Sequence, residues 1–216
     1  MAIITISRGS LSGGRAVAEC LAEQLGSRCL AREILRRAAG KLGASEEVVQ
    51  AKFETTPGLW ARVSRERERY VLAVQTALVE ACLEGNLVYH GLAGQFLLRG
   101  LPGVLRVRLI SPLEKRVRAL QETQRRMTTK AAEDFIRNVD QDRRRWVKVT
   151  YGADVEDPSL YDLTVNLRSL SVDSACAAIA EATEQPEYAV TEGVRAELAS
   201  FAADCHGRLD ALMAEA

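Results

Sequence analysis

The 216-residue chain is short of most of the residue patterns that make a function easy to read. It has only two histidines, His90 and His206, which argues against a metal centre built on imidazole and thiolate. Its five cysteines (Cys20, Cys29, Cys82, Cys176, Cys205) form no C-x-x-C pair. An odd, dispersed set in a chain of this length reads as buried reduced thiols in the cytoplasm. Aromatic residues make up 5% of the chain, too few in the basic stretches to suggest stacking on bases. No apolar run approaches the roughly 20 residues of a membrane span. No basic segment precedes an apolar one at the N-terminus, so no signal peptide is expected. Net charge is also missing: 29 basic and 29 acidic residues cancel, which removes any whole-chain argument for nucleic acid.

What is present is a globular composition, 47% hydrophobic and 27% charged. The length suits one domain with a small appendage. The charges are unevenly placed. Basic residues dominate from Lys115 to Lys148, and acidic ones from Glu181 onward, opposed only by Arg195 and Arg208.

Apolar periodicity alternates between strand and helix. Ile3 to Ile6 is a β-branched run that reads as a strand buried on both faces. Val17, Leu21 and Leu25 then recur at helical spacing, with Gly26 as a stop. Arg28–Ala31 reads as a short strand and Ile34–Leu42 as a helix closed by Gly43. Thr55-Thr56-Pro57-Gly58 reads as a break before a long helix from about Trp60 to Leu83. Leu87–Tyr89 and Val104–Ile110 are further strands. Pro112 begins a helix, Thr129 caps another, and Tyr161–Val165 is the last strand. Ser171 caps a helix ending near Thr183, and beyond Pro186 lie one or two amphipathic helices, with a break at Gly207 as the alternative. Such alternation implies a parallel sheet covered on both faces, with ligands bound beyond the carboxyl ends of the strands.

The turn from Ser7 to Arg15 lies at such an end. Gly9, Gly13 and Gly14 supply permissive backbone, Ser10 and Ser12 hydroxyls, and Arg8 and Arg15 charge, all ahead of a helix N-terminus that favours anions. It falls one residue short of G-x-x-x-x-G-K-[ST] and has no lysine. A plain flexible connection is the competing reading.

The opening Ile-Thr-Ile-Ser-Arg8, with Ser12-Gly-Gly-Arg15, resembles the cytidylate kinase-like family, a divergent branch of P-loop nucleoside monophosphate kinases. The opening of that branch is S-R-x-x-G-S-G-G-R, so the missing lysine belongs to the branch, and Arg15 becomes the candidate cation. The resemblance runs with gaps to about Ile179. It includes Arg32-Glu33-Ile34-Leu35, Asp140-x-x-Arg143 with Trp146 beyond, Pro112-Leu113-Glu114-x-Arg116, and Asp157-Pro158-x-x-Tyr161-Asp162-Leu163-x-x-Asn166. Four positions depart from the pattern: Leu11 replaces a loop glycine, Ala31 an aspartate, Leu92 an arginine, and Gln95 an acidic residue.

The resemblance implies a three-layer α/β/α P-loop kinase fold with a parallel sheet over residues 1–183, a helical lid at about 113–150, and a C-terminal helical extension over 184–216. It implies ATP and Mg²⁺ as cofactors and CMP as the default acceptor. Arg8, Ser10, Ser12, Gly13, Gly14, Arg15 and Ala16 would hold the donor, with Ser12 also at the metal. Arg15, Arg116 and Arg143 would act in catalysis, and Arg37 and Gly91 would hold the acceptor. Two alternatives stay open: a nucleotide-binding regulatory module without turnover, and an interaction protein that self-associates through its basic lid and acidic tail. Neither a membrane nor a specific nucleic acid is an expected partner.

Overall fold

The computed structural model describes residues 2–54 and 65–215. The chain runs β1 (Ile3–Arg8), α1 (Gly14–Gln24), β2 (Arg28–Leu30), α2 (Arg32–Leu42), α3 (Glu46–Glu54) and α4 (Arg65–Leu83). It continues with β3 (Leu87–Tyr89), α5 (Gly94–Leu97), β4 (Val104–Ile110), α6 (Leu113–Thr123), α7 (Thr129–Tyr151), β5 (Leu163–Asn166), α8 (Val172–Ala182) and α9 (Glu192–Ala214). The expected break at Thr55–Gly58 and the helix start at Trp60 lie outside the described residues.

Five strands form one parallel sheet in the order β2-β3-β1-β4-β5. Because side chains alternate along a strand, the apolar residues sort into two faces. Ile4, Ile6, Val88, Leu105, Val107 and Leu109 pack with Val17, Leu21 and Ile179 of α1 and α8. Ile3, Leu87, Tyr89 and Val104 pack on the other side with α2, α4, α5 and α9. This is the three-layer P-loop kinase fold, and β1 sits at its centre because it is buried from both sides.

The lid is a helical hairpin with its own small core of Val117, Leu120, Ala132 and Ile136. Only the first part of α7 belongs to it. The last turns enter the main core, where Trp146 is fully buried against Phe53 and Tyr151 in edge-on contacts at 5.2 and 5.7 Å. α7 is therefore lid at one end and cavity wall at the other.

Several boundaries move from their sequence positions. Thr128, not Thr129, caps α7, its hydroxyl accepting from the Ala131 N–H at 3.2 Å. β5 starts at Leu163, because Pro158–Leu160 tightens into a 3₁₀ turn capped by Asp157 and delays the pairing. α9 is one helix that passes through Gly207 unbroken, held by Leu198, Ala202, Cys205 and Leu209 in the same core as α4. The reading of all cysteines as reduced thiols is corrected: Cys20 and Cys176 are joined, with Cα atoms 6.2 Å apart. Their helices α1 and α8 lie side by side on one sheet face, a proximity that 156 residues of separation conceal. Among the described residues, no helix is long and apolar enough to cross a membrane.

Candidate phosphate-binding site

The carboxyl ends of β1, β3 and β4 open into a cavity of about 560 Å³, closed on one side by α7. The chain leaves β1 toward β2 at one edge of the sheet and later crosses from β3 to β4 on the other side of β1, so a crevice opens above β1. Ser7 and Arg8, His90 and Gly91, and Ile110 and Ser111 line it from the three strand ends.

The loop between β1 and α1 is wound by two left-handed residues. Gly13, at φ 83°, starts α1, and its carbonyl accepts from the Val17 N–H at 3.1 Å. Leu11, at φ 57°, is the other. A side chain there costs about 1–2 kcal/mol, and the side chain is retained because Leu11 packs into the lid core beside Val117 and Ile136. Ser12 is buried, and its hydroxyl donates to the Gly9 carbonyl at 2.9 Å, tying the loop to itself.

Gly14 makes room for Arg8. A Cβ at position 14 would overlap the Arg8 Cδ, so the arginine lies across the first turn of α1 because that residue has no side chain. From there its Nη2 meets His90 Nδ1 at 3.4 Å, while its Nε is buried with no hydrogen-bond partner. Burial, then the charges of Arg143 and Arg15, pull the Arg8 pKa below its ordinary value. Burial, then Arg8 and Arg15, likewise lower that of His90, which keeps the imidazole neutral near pH 7.

Arg108 enters from β4, its guanidinium 5.6 Å from the Tyr161 ring centre and 3.4 Å from Ser7 Oγ. Arg143 reaches the cavity from α7. Among the described residues, Arg8, Arg108 and Arg143 form no ion pair. Glu54, Asp140, Asp142 and Glu156 line the same space, but none of them pairs with these three arginines, which leaves the three available to an anion.

The remaining expected site residues divide. Ser12, Gly91 and Arg116 line the same cavity, whereas Ala16 is exposed on α1. Arg116 does not point freely into the space. Its Nε donates to the Ser10 carbonyl at 2.7 Å, its Nη2 to Ser10 Oγ at 3.0 Å, and it pairs with Asp140. Arg15 lies outside the cavity, its side chain 78% exposed and paired with Glu19 at 2.7 Å. Arg37 also faces away, held by both oxygens of Glu84 at 2.5 and 3.0 Å. Gly91 has a steric reason to be glycine, since a Cβ there would overlap the Tyr89 hydroxyl.

The turn after β3 presents little polar function to the cavity. Leu92 is apolar, and the buried Gln95, which lines the cavity, gives its Nε2 to the Tyr161 hydroxyl at 3.1 Å. Tyr161 in turn donates to the Val155 carbonyl at 2.7 Å and accepts from Ser7 at 3.1 Å.

Sequence reasoning missed Arg108, Asp140 and Tyr161 as parts of the site. Arg108 left little signal: it shares its face of β4 with Val104, Arg106 and Ile110, and only the structure shows that Arg106 has a carboxylate partner, Asp162, while Arg108 faces the cavity.

A family model described as the cytidylate kinase-like family matches residues 3–169. The chain belongs to that family. Among its relatives is a cytidylate kinase of Pyrococcus horikoshii, 28% identical over 186 residues, covering 84% of this chain and 88% of that protein. A cytidylate kinase of Thermococcus kodakarensis is 25% identical with the same coverage of both chains. An uncharacterized protein from Eubacterium ventriosum superposes with a TM-score of 0.66 at 19% identity, covering 85% of this chain and 98% of that one. A shikimate kinase from Bacteroides thetaiotaomicron superposes with a TM-score of 0.51 at 10% identity, over 85% and 99% of the two chains. These structural likenesses carry the fold alone.

Proposed function

We propose that this member of the cytidylate kinase-like family is an ATP-dependent nucleoside monophosphate phosphotransferase, with CMP the default acceptor. The observation that supports it is the set of Arg8, Arg108 and Arg143 around one cavity without ion-pair partners among the described residues, at the strand ends beside a glycine loop. Phosphoryl transfer asks a protein for positioning and for neutralisation of charge, and arginines in a closed cleft supply both. In this reading the loop and the N-terminus of α1 hold the donor phosphates. Arg8 spans from Gly14 to His90 and so faces the donor on one side and the acceptor turn on the other. Arg143 adds charge from the lid. Arg8 thus takes the role that Arg15 was expected to fill.

The fit to ATP rests on the orphaned Arg8 Nε and the helix N-terminus. The fit to Mg²⁺ through Ser12 is poor, because the buried Ser12 hydroxyl already donates to Gly9. The described residues also hold no cluster of three His, Cys, Asp or Glu side chains that could bind a metal ion.

The test is ADP release in a coupled assay with ATP and each common nucleoside monophosphate. Turnover with CMP is expected, and absence of turnover with every acceptor would overturn the reading. A second reading, nucleotide binding without turnover, is favoured by Leu92 and the uncharged Gln95 in the acceptor turn, where the family carries an arginine and an acid. It predicts a raised melting temperature with ATP and no ADP.

A further inference from the structure

The loop's anion-binding groups already have an anion. Asp140, on the lid helix α7, places Oδ1 2.9 Å from the Ser10 N–H and 3.0 Å from the Ser10 hydroxyl. Its other oxygen, Oδ2, pairs with Nη2 of Arg116, a side chain only 12% exposed. Arg116 in turn grips the Ser10 carbonyl, and its guanidinium lies so close to Gly9 that a Cβ there would sit 3.2 Å from it. A backbone amide, a hydroxyl and an arginine converging on one pair of oxygens is the donor set that a phosphate group would use. Here a carboxylate from 130 residues away uses it.

We propose that Asp140 is an internal competitor for the phosphate site. Its carboxylate holds the loop and Arg116 in the ligand-free protein, and a phosphate ligand binds by displacing it. The inference rests on the loop being a phosphate site, as proposed above. Two features support displacement over a permanent strut. Asp140 lies on α7 between Ile136 of the lid core and Trp146 of the main core, two cores that are separate, so the stretch before Trp146 can shift while Trp146 keeps the helix rooted. Ser10 and Arg116, once released, keep their donors aimed at the vacated position. Displacing the carboxylate would then release this part of α7 from the loop.

The test compares binding of inorganic tripolyphosphate and of ATP by calorimetry to the full chain and to its Asp140→Asn variant. Asparagine keeps the size and one acceptor but removes the charge. Affinity is expected to rise roughly tenfold, the scale of one charge-assisted hydrogen bond. Equal or weaker binding by the variant would overturn the competitor role and leave the kinase reading standing. Absence of tripolyphosphate and ATP binding by both proteins would overturn the two together. Hydrogen exchange of the wild-type protein gives a readout independent of any variant's folding. Tripolyphosphate should speed exchange in the segment around residue 140, and slowed or unchanged exchange there would overturn displacement.

Discussion

The residue that separates the arginines is glutamate. Arg15 and Arg37 each have one beside them, Glu19 and Glu84, and both lie outside the cavity. Arg8 has none and lies within it. Sequence alone could place all three in a phosphate-binding pattern; the Glu19 partner of Arg15 lies only four residues on, at helical spacing, but the Glu84 partner of Arg37 is 47 residues away and was not legible. Arg8→Ala should therefore lower kcat/KM by about 10²–10³-fold, the size of losing one transition-state donor, and abolish the ATP-induced thermal shift. Arg15→Ala should leave that shift unchanged. Leu11 offers a second test, because its backbone and its side chain pull in opposite directions. Leu11→Ala loses the lid contact and keeps the left-handed backbone cost, whereas Leu11→Gly loses the contact and is relieved of about 1 kcal/mol. Urea denaturation should show glycine as the milder change. For His90 the folded-state pKa is depressed, so the unfolded chain binds the proton more readily. Its contribution to stability is full above about 6.5, the unfolded value, and is lost as pH falls from there. His90→Gln should flatten that part of a melting-temperature profile.

At the scale of elements, strands and helices were legible wherever burial is periodic. β3 and β4 lie where the apolar runs place them, and Gly43 ends α2 in the left-handed conformation, as its position suggests. The ends that moved were decided by groups outside the periodic run: the hydroxyl of Thr128 for α7, and the Asp157–Pro158 turn for β5. Thr128→Ala should cost about 1 kcal/mol of stability, measurable by urea unfolding. The double nature of α7 was not legible, because an amphipathic pattern does not say which partner each turn meets. Phe135 illustrates this: it fits the apolar stripe but is 45% exposed, while Ile136 fills the lid core.

At the scale of the molecule, the sheet and its two covered faces followed from alternating strand and helix, but the placement of the C-terminal segment did not. An acidic amphipathic helix fits a tail or an interface as well as it fits a core, and only the packing of Leu198, Ala202, Cys205 and Leu209 on α4 decides. Each of the two buried leucines contributes about 1.5–3 kcal/mol, and their loss would also bare the matching face of α4. Against a typical total of about 5–15 kcal/mol, a chain ending at Thr183 should lose its cooperative thermal transition in calorimetry. The strand order carries a consequence for how the chain is made. β1 is synthesised first, yet its partners on either side are β3 and β4. Until residue 110 has left the ribosome, the apolar Ile3–Ile6 segment keeps at least one side unpaired. The sheet's central strand is thus its longest-waiting one, and a nascent chain stalled before Val104 presents it as a sticky edge for chaperones or for other copies.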